Sequence, residues 1–403
     1  MVYSQREEKF MKIIQKLRTR IQHTRLKVLL VIAAAILAGF FVGRGQSLPS
    51  SGDTVTVAQF RREMKNDKVT FINVHVPYEG EIEGTDAFIA YDKIVESSNL
   101  LPEDKSAPII LYCKTGRMSA EAVETVKKLG YTNVHHLTGG MDAWKRSGGK
   151  LLDLSGLEET VLPAAGITLP VSWGDLGKQL VDAGVIDLPA FREVVKMTPE
   201  QEKILTEGSD EKIKIDHTNS QFVVDILWAL GLAQKSIVYT EGPLGQEYKD
   251  EVGSFASTGG WNLARGDAVS YLNKFDFIPL TDEQQRQVGE IAKGVFRPCC
   301  GNSTWFPDCN HGMAALAAIE LMVSAGVPEK DIYRYVLGLN SFWFPDTYMT
   351  IATYFARQGT AWKDIDAKMI LGQEYSSAQG ANLVAKQVGP LPFTTNYGGA
   401  CGT

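Results

Sequence analysis

The sequence predicts a multi-domain chain with an N-terminal transmembrane helix, an α/β domain on a parallel sheet flanked by helices, and a mostly α C-terminal domain. Three observations carry this. Val28 to Gly43 is a run of sixteen uncharged, mostly apolar residues behind a basic segment. Pro108 to Tyr112 is a short apolar run that leads through a cysteine-bearing turn into the helical spacing of Ser119 to Leu129. Beyond Trp173, helical spacing dominates and strand-like runs become scarce. With 403 residues, the chain is long enough for two or three cores.

Residues 1–27 carry eight Lys/Arg against Glu7 and Glu8, a net +6, so the remainder holds −12 of the overall −6. An acidic body argues against a nucleic-acid partner. The apolar run 28–44 is shorter than the roughly 20 residues of a typical span, and Phe40-Phe41-Val42-Gly43-Arg44 is a poor cleavage site for a signal peptide. The reading is a single-pass signal anchor, with a cytoplasmic N-terminus and the domains on the extracytoplasmic side. Residues 45–53 form a Gly/Ser/Pro tether. The α/β domain is placed at 54–151, with Thr54 to Phe60 and Phe71 to Val74 as strand material, and 152–170 is a connector.

Within the α/β domain, Cys113 sits on the turn between a buried strand and a helix N-terminus. Backbone N–H groups and the positive end of the helix dipole converge at such a turn, and Lys114 and Arg117 add charge. The place suits a thiolate nucleophile and an anionic or sulfur-bearing substrate. The plain alternative is a small buried hydrophobe in an ordinary turn.

The neighbourhood favours the first reading. Phe71-Ile72-Asn73-Val74-His75, the Cys113 to Ser119 loop, Gly130 to Val134, and Leu137-Thr138-Gly139-Gly140-Met141-Asp142-Ala143-Trp144 together resemble a rhodanese-homology (sulfurtransferase) domain. The resemblance implies that Cys113 accepts a sulfane sulfur and becomes a persulfide, cradled by Lys114, Thr115, Gly116, Arg117 and Met118. The related phosphatases place five residues between cysteine and arginine; this loop has three, which favours sulfur. Two positions depart from the family pattern: Asn73-Val74-His75 stands where Asp-x-Arg is usual, and Glu81-Ile82-Glu83-Gly84 where His-Ile-Pro-Gly is usual. Both touch the hydrogen bonding expected around the loop.

The mostly helical segment 171–403 resembles no family of known activity. Helices are expected at Ser220 to Leu232, Ala264 to Asn273, Thr281 to Ile291, Gly312 to Ala325, Lys330 to Leu337 and Asp346 to Gln358. Asn302-Ser303-Thr304-Trp305-Phe306-Pro307-Asp308 recurs as Asn340-Ser341-Phe342-Trp343-Phe344-Pro345-Asp346, which reads as a duplicated helical hairpin with its aromatics in a shared core and Asp as N-cap. The first copy alone carries Cys299-Cys300 upstream and Cys309-Asn310-His311-Gly312 at its helix start. These residues are candidates for a metal site holding zinc, copper or iron, or for disulfides, with Cys401 completing an even set once Cys113 is left free. His135, His136 and His217 read as rim or cap residues, and His75 as packing.

The function expected is a membrane-anchored extracytoplasmic sulfurtransferase. Its Cys113 persulfide forms from thiosulfate or a persulfide donor and passes sulfur to a thiol acceptor, with no cofactor required for transfer. The alternatives are a non-catalytic scaffold carrying a metal- or partner-binding domain, or a thiol–disulfide redox protein.

Overall fold

Ile109, Ile110, Leu111 and Tyr112 are all buried, which places their strand at the middle of a sheet covered on both faces. The structure, a computed structural model, describes residues 52–391. Its first part comprises β1 (Thr54–Val55), α1 (Val57–Glu63), β2 (Thr70–Asn73), β3 (Glu81–Ile82), β4 (Ala87–Phe88), β5 (Ile109–Tyr112), α2 (Arg117–Lys128), β6 (Val134–Leu137), α3 (Gly140–Arg146) and β7 (Leu151–Leu152). Five strands form one sheet in the order β1-β6-β5-β2-β4, every pair parallel. β3 pairs antiparallel with β7 at the side. The expected parallel α/β unit is present, with one local difference. Strand character stops at Val55, because Thr56 and Gln59 close a capping box that starts α1.

The second part continues with α4 (Leu157–Val161), β8 (Ile167–Gly174), α5 (Leu176–Asp182), α6 (Leu188–Val194), α7 (Pro199–Thr206), β9 (Ser209–Ile215) and α8 (Ser220–Ala233). After several short turns come α9 (Asp282–Lys293), α10 (Asn310–Ser324), α11 (Glu329–Trp343), α12 (Pro345–Arg357) and α13 (Ala378–Val388). The segment is mostly helical, but β8 and β9 form an antiparallel pair across a bulged register, where a connector and helices were expected. The long helices fall near their expected positions, except Ala264 to Asn273, where only a 3-10 turn at Ala268–Tyr271 forms.

The expected membrane architecture requires correction. No helix among the described residues is long and apolar enough to cross a membrane. The most apolar helices, α8 and α10, are 14 and 15 residues long and buried nearly all round, so their hydrophobicity serves the protein core. The run at 28–44 lies outside the described residues, as do the basic segment 1–27 and most of the tether. Among the described residues the fold is therefore an α/β domain with a helical C-terminal region, against the expected single-pass, extracytoplasmic placement.

The duplicated hairpin also resolves differently. The second copy, Asn340 to Trp343, is the last turn of α11, whereas the first copy, 302–308, is an irregular loop. The aromatic match does reach a shared core, since Trp343 and Phe344 are buried and Trp305 and Phe306 pack against the same cluster. Neither aspartate is the N-cap; Cys309 precedes α10 and Phe344 precedes α12.

Each part has its own apolar core, and a buried ion pair joins them. Arg357, at the end of α12, donates from Nε to Glu81 Oε1 (2.8 Å) and from Nη2 to Oε2 (3.2 Å). Its Nη1 donates to the carbonyls of Val388 (2.8 Å) and Asp86 (3.1 Å). Glu81 is fully buried. Desolvation raises its carboxyl pKa while Arg357 opposes the rise. The departure at Glu81 is thus the anchor point of the helical region.

Candidate active site

The Cys113 loop is built from the main chain. β5, the central strand, delivers Cys113 just past its C-terminal end, and Gly116 takes φ +103°, turning the chain into the first turn of α2. Two amides then point at the sulfur: Gly116 N–H donates to Cys113 Sγ at 3.1 Å and Ser119 N–H at 3.4 Å. The amides of Lys114, Thr115, Arg117 and Met118 find no acceptor among the described residues. Two backbone donors on one sulfur, with further loop amides left without acceptors, make a candidate anion cradle. From behind, α3 holds the loop through Met141 N–H to Cys113 O (2.9 Å) and Asp142 N–H to Lys114 O (3.0 Å). Gly140 allows this approach, since a Cβ there would lie 2.1 Å from Cys113 O. The Gly139-Gly140 pair of the sequence is therefore part of the loop's support.

The charged loop side chains are held to the side. Lys114 Nζ meets Glu79 Oε2 at 2.6 Å, and Arg117 meets Glu121 Oε1 at 2.7 Å. The Lys114 hydrogen bond holds the Glu79 carboxyl below its ordinary range. His75 is buried, with Nε2 3.5 Å from Glu79 Oε1, an ion-pair distance without hydrogen-bond geometry. The departure at Asn73 supplies a local clamp: its amide donates to Gly80 O (3.1 Å) and its carbonyl accepts from His75 N–H (3.0 Å).

Sequence reasoning missed a polar chain behind the sulfur. Ser119 is buried, and its Oγ lies 3.5 Å from Cys113 Sγ, 3.1 Å from Gly116 O and 3.3 Å from His136 Nδ1. Burial, with His135 adding to it against Asp53, lowers the His136 pKa and favours the neutral ring. If Nδ1 carries the ring proton and donates to Ser119 Oγ, the single hydroxyl proton is free for Gly116 O or the sulfur. Strand alternation along Val134-His135-His136-Leu137 was the available signal for which imidazole faces the loop.

The second cysteine group lies before α10. Cys299, Cys300 and Cys309 carry no disulfide, and their three sulfurs lie within 4.8 Å of one another. Cys299 Sγ and Cys309 Sγ are 3.4 Å apart. His311 is not in this group. Its buried ring lies 4.5 Å from Phe344 and 5.6 Å from Trp343, neither ring nitrogen has a hydrogen-bond partner, and burial pushes its pKa down to about 4. Cys401 lies outside the described residues. Arg297 went unnoticed in the sequence. It is fully buried and donates to Cys309 Sγ (3.2 Å), Phe306 O (3.1 Å) and Asp308 Oδ1 (2.6 Å). Hydrogen bonds from Cys299 and Cys300, aided by Arg297 against the cost of burial, hold the Cys309 thiol well below its ordinary pKa.

Comparison with known proteins bears on the part of the chain that holds the first site. The rhodanese-like domain family matches residues 56–147. The probable adenylyltransferase/sulfurtransferase MoeZ of Mycobacterium tuberculosis is 36% identical over 102 residues, covering 24% of this chain and 26% of that protein. This chain thus spans about a quarter of MoeZ's length. The uncharacterized protein YqhL of Bacillus subtilis is 33% identical over 101 residues, covering 24% of this chain and 74% of YqhL. A solved rhodanese-related protein of Thermoplasma volcanium is 25% identical, covering 25% of this chain and 97% of its own, with a TM-score of 0.22. Through residues 56–147, the chain belongs to the rhodanese-like domain family.

Proposed function

We propose that the protein is a sulfurtransferase that carries sulfane sulfur on Cys113. The observation that carries this reading is the loop itself: two amides on Sγ and four more of the same loop without acceptors. In the first step, Cys113 thiolate attacks the outer sulfur of thiosulfate. A new S–S bond forms, the bond to the sulfonate sulfur breaks, and the electron pair leaves with sulfite. The terminal sulfur of the Cys113 persulfide is then an anion facing backbone donors, which stabilise it without reorganisation. A thiolate acceptor attacks that terminal sulfur, takes it as its own persulfide, and returns Cys113 as thiolate. A persulfide donor reacts by the same displacement, with a thiolate leaving.

Accessibility supports a small or extended donor. Cys113 is 1% exposed, beneath the exposed residues Thr115 and Arg117, so the reacting sulfur must enter the loop. The scaffold alternative draws on Lys114 and Arg117, whose charges are already paired with Glu79 and Glu121. Intact mass of the full chain after thiosulfate separates the two readings. Transfer predicts a gain of about 32 mass units, one sulfur, absent in Cys113→Ser. No gain in the wild-type chain would leave the scaffold.

A further inference from the structure

We propose that Cys299, Cys300 and Cys309 bind one soft closed-shell cation, Zn²⁺ or Cu⁺, through three thiolates. The sulfurs are already gathered within 4.8 Å, and Cys299 Sγ and Cys309 Sγ are 3.4 Å apart. That is far from the roughly 2.05 Å of a disulfide. A metal–sulfur bond of about 2.3 Å sets ligand sulfurs roughly 3.8 Å apart, so small side-chain shifts close the site. Thiolates select these ions over hard cations.

The surroundings fit a bound metal thiolate. The wholly buried Arg297 donates from Nε to Cys309 Sγ at 3.2 Å. Such a second-layer N–H···S bond orients the ligand and offsets the negative charge of three thiolates around one cation. Arg297 is itself fixed by Asp308 and Phe306 O, and Asp308 is fixed again by Asn302 Nδ2 at 2.9 Å. Gly312 makes room for this arginine, since a Cβ there would lie 2.7 Å from its Cζ. Asp308 is thus committed to Arg297 and Asn302, and His311 lies outside the group, so no fourth protein ligand joins the three sulfurs among the described residues. Cys299 is exposed and gives the ion a path in. Solvent or a small thiol completes the coordination of zinc, whereas Cu⁺ is content with three sulfurs.

The test is anaerobic titration of the reduced full chain with Zn²⁺ and, separately, Cu⁺ against a chromophoric chelator, with Co²⁺ absorption reporting thiolate ligation. One cation per chain is expected, held at least tenfold more weakly by Cys299→Ser and unchanged in Cys113→Ser. Cys299 is exposed, so its serine variant keeps the fold; a matching thermal melt checks this. Failure of the reduced chain to compete for either ion would overturn the proposal. So would equal retention by a Cys299→Ser/Cys300→Ser/Cys309→Ser chain. Thiol counting that finds a Cys299–Cys309 disulfide and no bound metal in the purified protein overturns it in favour of a redox pair.

Discussion

The two cysteine sites solve different problems with different materials. Around Cys113 the donors are backbone amides, fixed by the strand-to-helix turn and by α3 pressed against its back. Around Cys309 the partners are side chains: two further thiols and one buried guanidinium. Two amides on one sulfur, with unpaired amides beside them in the loop, suit an added anionic atom. A set of converging sulfurs encloses a point where a positive atom fits. The difference teaches that burial and a nearby positive charge do not by themselves assign a cysteine's chemistry; the direction in which neighbouring groups point does.

The sharpest way to break this contrast is to exchange the roles. Cys113→Ser should abolish thiosulfate-dependent mass gain and lower sulfur transfer by more than about a thousandfold, while Cys309→Ser keeps the gain. Sulfur appearing on the 299–309 segment in the Cys113→Ser chain would dissolve the distinction. Next in size is Arg297→Ala, which removes a wholly buried charge and leaves Asp308 and Cys309 without it. Urea unfolding should show a loss of about 3–5 kcal/mol, whereas Ser119→Ala, which removes neutral hydrogen bonds only, should cost about 1 kcal/mol.

Two alanine substitutions sharpen the comparison at the backbone. Gly140→Ala forces the loop carbonyls away and should slow persulfide formation at least about tenfold with metal binding intact. Gly312→Ala presses on Arg297 and should do the reverse. The remaining effect is global. Burial raises the carboxyl of Asp225 to about 7 and that of Glu320 to about 8. The folded state therefore holds protons that the unfolded chain has released. Their stabilising contribution is full below about pH 4 and is lost as pH rises toward 8, at up to about 1.4 kcal/mol per pH unit for each group. Thermal melts across pH 5–8 should show this fall, and Asp225→Asn with Glu320→Gln should flatten it.

What was legible in the sequence was contiguous. The β5 strand, the loop and α2 follow one another within twenty residues, so the apolar run, the glycine and the helical spacing told the same story. The long helices were legible for the same reason. The β8–β9 pair was not: its strands are separated by 34 residues, and Ser209-Asp210-Glu211-Lys212-Ile213-Lys214-Ile215 shows its alternation only at the end. The capping box at Thr56 and Gln59 was available and was passed over. The three-sulfur group was legible as residue types, but its key, Arg297, depends on a helix packing against a loop. His311, two residues from Cys309 in sequence, is turned toward the aromatic core instead.

The Glu81–Arg357 pair bears on how this chain could be taken apart or recombined. A rhodanese-like domain cut away after Leu152 would carry Glu81 without its counter-charge, on a face shaped to receive α12 and the end of α13. The helical region, left alone, would keep a guanidinium with no carboxylate to meet. Neither part is an interchangeable module: any exchange with another rhodanese-like domain must bring a carboxylate at the position of Glu81, or retire both charges together.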